Sequence, residues 1–415
     1  MTAVLLTVGD ELLLGQVVNS NAAWLGETLA GAGVDLRRME TVGDGVEEIQ
    51  AALARAFDEA GLVVVTGGLG PTHDDLTREA VAGFFGVPLR EDAELLGTLR
   101  ARYESRGRAF PEIGRAMACV PDGFEVLPNP MGTAPSLWGR REDGRVVVLL
   151  PGVPYEMKAI VTERLLPRLE AARDGVVLTH TFLTAGKGES QLSERIGDPG
   201  QRLGQGVGLA FLPSLGTCRL RLTVRGADRD EAARRLTTAA DALRGVLGTD
   251  LVAEADTTLE AAVGELLAQE GLCIATAESC TGGAISARLT STPGASRYVS
   301  GGIVAYGNGV KTAALSVGAD ALERHGAVSE AVALQMAHGV RRALGADVGV
   351  SATGIAGPGG GTPEKPVGTV WVAYVDAETE RAVRLSLTPH RALNIGLTTT
   401  AALDLVRRQV LRRRR

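Results

Sequence analysis

Along residues 1–85, short aliphatic runs alternate with stretches whose apolar positions recur every three to four residues. Residues 4–8, 34–41, 62–66 and 146–150 read as strands, and the third is almost wholly apolar. Helices are expected from the Asn19-Ser20-Asn21 cap to about residue 32, and from Asp44 to residue 60. A continuous apolar strand between helices belongs in a parallel sheet covered on both faces. Residues 1–174 are therefore predicted to form a doubly wound α/β domain, with its ligand beyond the C-terminal ends of the strands. Around Arg173-Asp174-Gly175 the pattern changes. Residues 175–250 hold strands over 176–184 and 218–225 and a helix over 230–247, the content of a small α+β module. Residues 249–256 read as a polar connection, Thr257-Thr258-Leu259-Glu260 as a capping box, and Gly271 as the glycine that ends the helix. Strands over 272–277, 303–305, 348–351 and 367–375 then alternate with helices after Gly282, near 329–344 and at the C-terminus. Residues 251–415 make a second α/β unit. The fold class is α/β: two doubly wound α/β domains joined by a small α+β, KH-like module.

With 415 residues, 45% of them hydrophobic, the chain can bury several cores. No apolar run reaches the ~18–20 residues of a membrane span, and the first residues lack the basic region of a signal peptide. The four cysteines (Cys119, Cys218, Cys273, Cys280) form no CxxC pair, so a reducing cytoplasm is the expected compartment. The net charge of −6 divides as −9 over 1–174, +2 over 175–250 and +1 over 251–415. An acidic first domain and 4% aromatic residues argue against a nucleic-acid surface, which needs a basic footprint and stacking platforms. Gly197-Asp198-Pro199-Gly200 has the GxxG spacing of a KH loop, but its aspartate would repel phosphate. A spacer or dimerisation role is expected of this module instead.

Three regions carry candidate chemistry. In Gly67-Gly68-Leu69-Gly70-Pro71-Thr72-His73-Asp74-Asp75, glycines can bring backbone N–H groups up to a phosphate. The aspartates could hold a divalent cation on phosphate oxygens, with Asp10 and Glu11 at the same sheet edge. Alternatively the glycines only turn the chain and Asp74 or Asp75 caps a helix. The loops 128–135 and 151–156, the second carrying Glu156, suit rigid turns and ligand contacts equally. The third region is Ala277-Glu278-Ser279-Cys280-Thr281-Gly282-Gly283, where a strand turns into a helix. Ser279 or Cys280 could attack a carbonyl, with amides near Gly282 holding the oxyanion; a phosphate-binding turn is the alternative. The five histidines form no metal spacing and none lies beside this turn, which leaves lysine as base. Only four of 43 basic residues are lysine, and lysine, unlike arginine, can lose its proton when desolvated. Lys311 and Lys365 are the candidates, against a surface salt bridge for each. The Gly-rich loop 351–361 suits a lid or substrate loop, and the six arginines of 407–415 suit a helix C-terminus.

These motifs resemble the CinA family (competence/damage-inducible protein A) over essentially the whole chain. Gly9-Asp10-Glu11-Leu12-Leu13, Gly67–Thr72, Asp74-Asp75 and Pro151-Gly152-Val153-Pro154 resemble its molybdopterin-binding-like domain. Ala277–Gly283, Tyr306 with Asn308 and Lys311, Thr353–Gly361 and Lys365–Trp371 resemble its nicotinamide mononucleotide amidohydrolase domain. The resemblance implies a bifunctional NAD-salvage enzyme. The C-terminal domain would deamidate nicotinamide mononucleotide without a cofactor, through Ser279, Lys311, Tyr306 and Thr353, with Thr281, Gly282, Gly283, Gly354 and Arg391 binding substrate. The N-terminal domain would cleave ADP-ribose with a divalent metal at Asp10, Asp74 and Asp75, its substrate held by Gly67, Gly68, Gly70, Thr72, Asn129, Gly132 and Thr133. The runner-up is an N-terminal domain that only binds a pterin or nucleotide, in a competence or DNA-recombination accessory protein. A homodimer is implied, with nucleotides as small-molecule partners and neither membrane nor direct nucleic-acid contact. The chain departs from the family pattern at Ser136, where glycine is usual and where a side chain leaves a ligand less room. At Pro389-His390-Arg391 it departs from Gly-Asp-Arg, and Ile395 stands in place of a second arginine.

Overall fold

The computed structural model describes residues 1–172 and 175–413; the expected boundary at 174 and the tail residues Arg414 and Arg415 lie outside them. Two compact units result, 1–177 and 178–415. In the first, β1 (Thr2–Val8), α1 (Ser20–Gly31), β2 (Asp35–Val42), α2 (Val46–Glu59), β3 (Leu62–Thr66), α3 (Thr77–Phe85) and α4 (Ala93–Glu104) precede β4 (Glu125–Leu127), β5 (Ser136–Arg140), β6 (Val146–Leu150) and α5 (Pro154–Ile160). The sheet order is β2-β1-β3-β6-β5-β4. The period of two along β1 explains the double winding. Val4, Leu6 and Val8 pack with Ile49 and Leu53 of α2 on one face, while Ala3 and Leu5 pack with Leu25 and Leu29 of α1 on the other. The expected parallel sheet is correct for β2, β1, β3 and β6 but not for the edge. There β5 and β4 run antiparallel as a hairpin that short β-runs did not announce.

The second unit begins with the module of β7 (Val176–Ala185), α6 (Glu189–Ile196), α7 (Pro199–Leu203), β8 (Val207–Ser214), β9 (Thr217–Gly226), α8 (Arg229–Leu247) and β10 (Leu251–Ala253). Here β8 and β10 correct the sequence reading: β8 is half-exposed and polar-tipped, and β10 interrupts the expected polar connection to pair with β7. The GxxG residues run from the end of α6 into the first turn of α7, which Asp198 caps by accepting the amides of Gly200 (2.8 Å) and Gln201 (3.3 Å). The amides of that loop are thus occupied by its own carboxylate. The module is not a free spacer. Arg407 donates to the carbonyls of Leu251 and Thr249, both at 2.9 Å, and Arg408 pairs with Asp250 at 2.8 Å. These bonds tie it to the last helix of the chain.

The rest of the unit comprises α9 (Leu259–Gln269), β11 (Ile274–Glu278), α10 (Ala284–Thr290), β12 (Val299–Val304), α11 (Asn308–Leu315), α12 (Glu330–Ala343), β13 (Val348–Gly354), β14 (Thr369–Val375), β15 (Glu380–Ser386) and α13 (Arg391–Arg413). Thr258, rather than Thr257, caps α9 through the Ala261 amide, so the expected capping box with Glu260 does not form. The sheet order is β12-β11-β13-β14-β15, with the first three strands parallel and the last two antiparallel. Ile274, Val348 and Val350 pack under α9 and α13; Ala275 and Ala277 face Val332, Met336 and Val340 of α12. This sandwich fixes β11, whose C-terminal end delivers the site.

Candidate active site

Ser279 follows β11 directly, and its amide donates to Ala352 of β13 at 2.9 Å, which continues the ladder one residue past the strand. The chain then turns through Gly282 (φ +65°) and Gly283 (φ +104°), left-handed positions suited to glycine, into α10. Lys311 projects from the first turn of α11, a helix that the sequence pattern did not predict. Its side chain is 1% exposed. Nζ lies 3.2 Å from Ser279 Oγ, 2.9 Å from the Ala305 carbonyl and 3.0 Å from the Tyr306 carbonyl. Burial holds the Lys311 ammonium below the usual lysine range. The arrangement has a direct chemical reading. A neutral amine has two N–H bonds, which the two carbonyls accept, and its lone pair is left toward the serine hydroxyl.

Cys280 belongs to the apolar core beside Ile285 and Val350, and burial pushes its thiol up to about 12. It is a poor thiolate, and Ser279 is the better nucleophile. Lys365 donates from Nζ to the His325 carbonyl at 2.6 Å, so it is not beside the serine. The oxyanion expectation changes in detail. Glu278, fully buried, accepts the amides of Gly283 (3.1 Å), Ile285 (2.9 Å) and Ser286 (2.8 Å) and the Ser286 hydroxyl (2.9 Å). Gly282 and Ala284 donate to Ser279 and Thr281 carbonyls. Neither the Cys280 amide nor the Thr281 amide donates to a backbone carbonyl among the described residues. The Thr281 hydroxyl is buried without a partner as well.

Around this centre, Arg391 donates to the Gly357 carbonyl (3.1 Å) and the Tyr306 hydroxyl (3.2 Å), and a guanidinium has further donors to offer. Tyr306 is 61% exposed. Thr353 is buried, its hydroxyl donated to Ala327 at 2.8 Å. Gly354 is required by packing: a Cβ there would sit 2.9 Å from the Thr369 carbonyl. Asn394, unremarked in the sequence, donates to Ala356 (2.9 Å) and Thr388 (2.7 Å) and accepts the Thr388 amide (3.0 Å), which pins the loop before Arg391. Ile395 packs against the core, so the position of the missing arginine is structural here.

The first domain has a cleft of about 380 Å³ at the C-terminal edge of its sheet, lined among others by Gly67, Gly68, Gly70, Asp74, Asp75, Glu11 and Asp44. Its glycine loop is clamped from beneath. Arg78, 1% exposed, donates to the Leu69 (2.6 Å) and Gly70 (3.0 Å) carbonyls, and Thr77 donates to Gly67 at 2.9 Å. At Gly67 (φ +110°) a Cβ would meet the Val8 carbonyl at 2.2 Å, so only glycine lets this loop close on β1. Neither Asp74 nor Asp75 caps α3. Asp75 accepts the Thr72 amide at 2.9 Å and the Thr72 hydroxyl, which makes it a builder of the turn. Asp10 and Asp44 accept each other's amides. Burial raises the Asp44 carboxyl, and the Asp10, Glu11 and Asp74 carboxylates push it further up. Still, no three His, Cys, Asp or Glu side chains among the described residues gather as metal ligands, so Asp10, Asp74 and Asp75 make no metal cage. Asn129, Gly132 and Thr133 do not line the cleft; Asn129 closes its own turn by accepting the Met131 and Gly132 amides. Ser136 is fully buried in β5, its hydroxyl unpartnered, and takes no room from the cleft.

Among the described residues no helix is long and apolar enough to cross a membrane. The sequence profile described as "Probable molybdopterin binding domain" matches residues 4–171. That described as "Damage-inducible protein CinA KH domain" matches 179–253, and "CinA C-terminal domain" matches 256–410. The chain is 51% identical to a CinA-like protein of Salinibacter ruber over 98% of this chain and 99% of that one. It is 45% identical to a CinA-like protein of Gemmatimonas aurantiaca over 99% and 97%. A solved structure described as the protein CinA with unknown function, from Thermoplasma acidophilum, is 41% identical over 39% of this chain and 94% of that chain, with a TM-score of 0.37. The chain belongs to the CinA family, with a molybdopterin-binding-like domain, a KH-like module and a CinA C-terminal domain in that order.

Proposed function

We propose that the C-terminal domain hydrolyses the carboxamide of nicotinamide mononucleotide to nicotinate mononucleotide and ammonia. The observation that carries this reading is the 3.2 Å contact between Ser279 Oγ and the buried Lys311 Nζ. Lys311 takes the serine proton as Oγ adds to the carboxamide carbon. The oxyanion meets the Cys280 and Thr281 amides, and such donors contribute about 3 kcal/mol each in related chemistry. Lys311 then gives its proton to the departing nitrogen, and ammonia leaves an acyl-serine ester. Water, deprotonated by the same amine, cleaves that ester and restores Ser279. Arg391, held by Tyr306 and Gly357, faces the substrate phosphate or ring with its remaining donors. The test is ammonia release from nicotinamide mononucleotide by the full chain and by Ser279→Ala. Equal rates from the two proteins would end the proposal.

For the first domain we propose a nucleotide-pyrophosphate site in the acidic cleft, with ADP-ribose as substrate. The residues present do not gather as a preformed metal cage, so no step is assigned to the divalent ion that this reaction would use. The lack of a cage favours a second reading, binding of a nucleotide or pterin without turnover. Phosphate release from ADP-ribose, coupled to a phosphatase, with and without added divalent cation separates the two. A cytoplasmic homodimer completes the proposal, and light scattering measures the dimer.

A further inference from the structure

The last strand of the second unit outruns its cover. Leu405 and Val406 of α13 pack with Val370 and Val372 of β14, while β15 lies one strand further out, at the edge of the sheet. The period of two along β15 sends Ala382 to the face packed with Ala333 and Ala337 of α12. Val383, Leu385 and Leu387 turn to the α13 face, where they stay half-buried. Two loops of the KH-like module come up beside them: the turn between β7 and α6, and the hairpin turn joining β8 to β9. They do not close on the strand. A cavity of about 520 Å³ is left, walled by Val372, Val383, Leu385 and Leu387 on the sheet side and by Leu397 and Leu405 of α13. Where the hairpin meets α13 the crevice is firmly built. Thr400 accepts a hydrogen bond from Arg288 at 2.8 Å and donates to the Leu215 carbonyl at 2.9 Å. At Gly216 (φ +76°) a Cβ would meet the Thr400 methyl carbon at 2.8 Å, so hairpin and helix are already in contact.

Four charged side chains line this cavity, Lys187, Glu189, Asp404 and Arg408, and three of them are compensated. Asp404 pairs with Arg407 and with Arg408, both at 2.6 Å, and Arg408 pairs again with Asp250 at 2.8 Å. Glu189 stands in the first turn of α6, where the helix dipole favours an acid. Lys187 is exposed between Gly186 and Gly188 and has no hydrogen bond or ion pair among the described residues. The other three lysines each have a partner: Lys158 the Trp24 ring, Lys311 the serine and Lys365 the His325 carbonyl. The crevice therefore joins an aliphatic wall to one ammonium with nothing to answer it.

We propose that this crevice binds an aliphatic monocarboxylate, its hydrocarbon body against Val383, Leu385, Leu397 and Leu405 and its carboxylate paired with Lys187. Among the described residues no aromatic side chain lines the cavity, so it offers a planar ring nothing to stack on. The one guanidinium in the wall is spent on Asp404 and Asp250, which leaves a point charge rather than the fork that suits a phosphate. The volume falls within the ~300–1,000 Å³ of sites that enclose a small molecule. A second copy of the chain seated here would bury the same leucines without calling on Lys187. Neither the crevice nor its charge depends on the roles given to Ser279 and Lys311.

Calorimetry on the full chain with octanoate, octanol and acetate tests the proposal, with light scattering on the same samples. Wild type binds octanoate, binds octanol about threefold to fivefold more weakly, as loss of an exposed ion pair entails, and takes up no acetate, which lacks the body. Lys187→Gln brings octanoate to the octanol level, leaves octanol unchanged and removes the salt dependence of octanoate binding. Ala401→Phe fills the crevice and abolishes binding of both. Unchanged melting shows that each variant is folded, and Lys187→Gln, at an exposed position, carries the test if Ala401→Phe does not fold. No binding at millimolar octanoate, equal octanoate affinity in wild type and Lys187→Gln, or octanoate binding retained by folded Ala401→Phe overturns the proposal. Octanoate uptake that dissociates an oligomer assigns the crevice to a second copy and overturns it as well.

Discussion

Replacing Lys311 by methionine removes the amine and keeps the length of the side chain, which matters at a position 1% exposed. The structure gives Nζ one chemical partner, Ser279 Oγ at 3.2 Å, and two carbonyl acceptors, Ala305 and Tyr306. If the amine is the base, the variant loses the whole general-base contribution, about 10²–10⁴ in rate. At 1.36 kcal/mol per decade this is about 3–5 kcal/mol of transition-state stabilisation. The loss falls on kcat, with KM nearly unchanged, because no contact to substrate is removed. Lys311→Arg fails as well, since its guanidinium keeps the charge but accepts no proton near neutral pH. Ammonia release measured against substrate concentration separates kcat from KM.

Two pH profiles follow from the same burial. Activity needs neutral Lys311, so kcat/KM in wild type climbs with pH through the lowered lysine pKa and levels off above it, below the ordinary 10.5. Stability obeys the same sign. Between the lowered folded value and 10.5 the unfolded chain binds more protons than the native one, so wild type gains stability as pH rises through that window. Lys311→Met has no such slope. Substantial deamidation by Lys311→Arg, or a kcat/KM with no rise anywhere below pH 10.5, would refute the assignment of the base.

Ser279→Ala loses nearly all ammonia release, whereas Cys280→Ala keeps most of it, because a core thiol pushed up to about 12 is no nucleophile at neutral pH; parallel assays of the two decide. Glu278→Gln presents an amide N–H₂ to donors that need an acceptor, and chemical denaturation should show a loss of about 3 kcal/mol with kcat reduced and KM held. Ser136→Ala removes a buried hydroxyl with no partner and should raise stability by about 1 kcal/mol in the same assay. The raised Asp44 carboxyl implies that any ADP-ribose cleavage falls on acidification at a higher pH than an ordinary aspartate would dictate, and Asp44→Asn abolishes that acid limb.

The parallel cores were legible because their strands are buried on both faces. Residues 146–150 are apolar throughout and 62–66 are apolar up to Thr66, and the structure places β3 and β6 over these same residues. Strands with one exposed face were not. In β15, Glu380–Ser386, charged and apolar residues mix, and its order comes from pairing with β14, a partner that local pattern cannot name. Helix α11 was missed for a related reason. Asn308-Gly309 reads as a turn, yet the Gly307 carbonyl accepts the Lys311 amide at 3.2 Å and the chain winds there.

The site divides in the same way. Ser279 and Lys311 could be named because each is chemically distinctive in its setting, a hydroxyl at a strand-to-helix turn and a lysine in an arginine-rich chain. Their supports could not, because a support is defined by what surrounds it. Arg78 looks like one of many arginines until it is found buried under the Gly67–Gly70 loop, and Asn394 looks like a helix-start asparagine until its amide is seen to bridge two carbonyls. Glu278 did leave a signal. It ends Ile274-Ala275-Thr276-Ala277-Glu278, a strand with no other charge, directly before a glycine turn. A carboxylate in that position must find donors, and the nearest unsatisfied ones are the first amides of the next helix. By taking them, Glu278 draws off the amides of Gly283, Ile285 and Ser286 and leaves those of Cys280 and Thr281 without a backbone acceptor, beside Ser279, where the proposed oxyanion would be held.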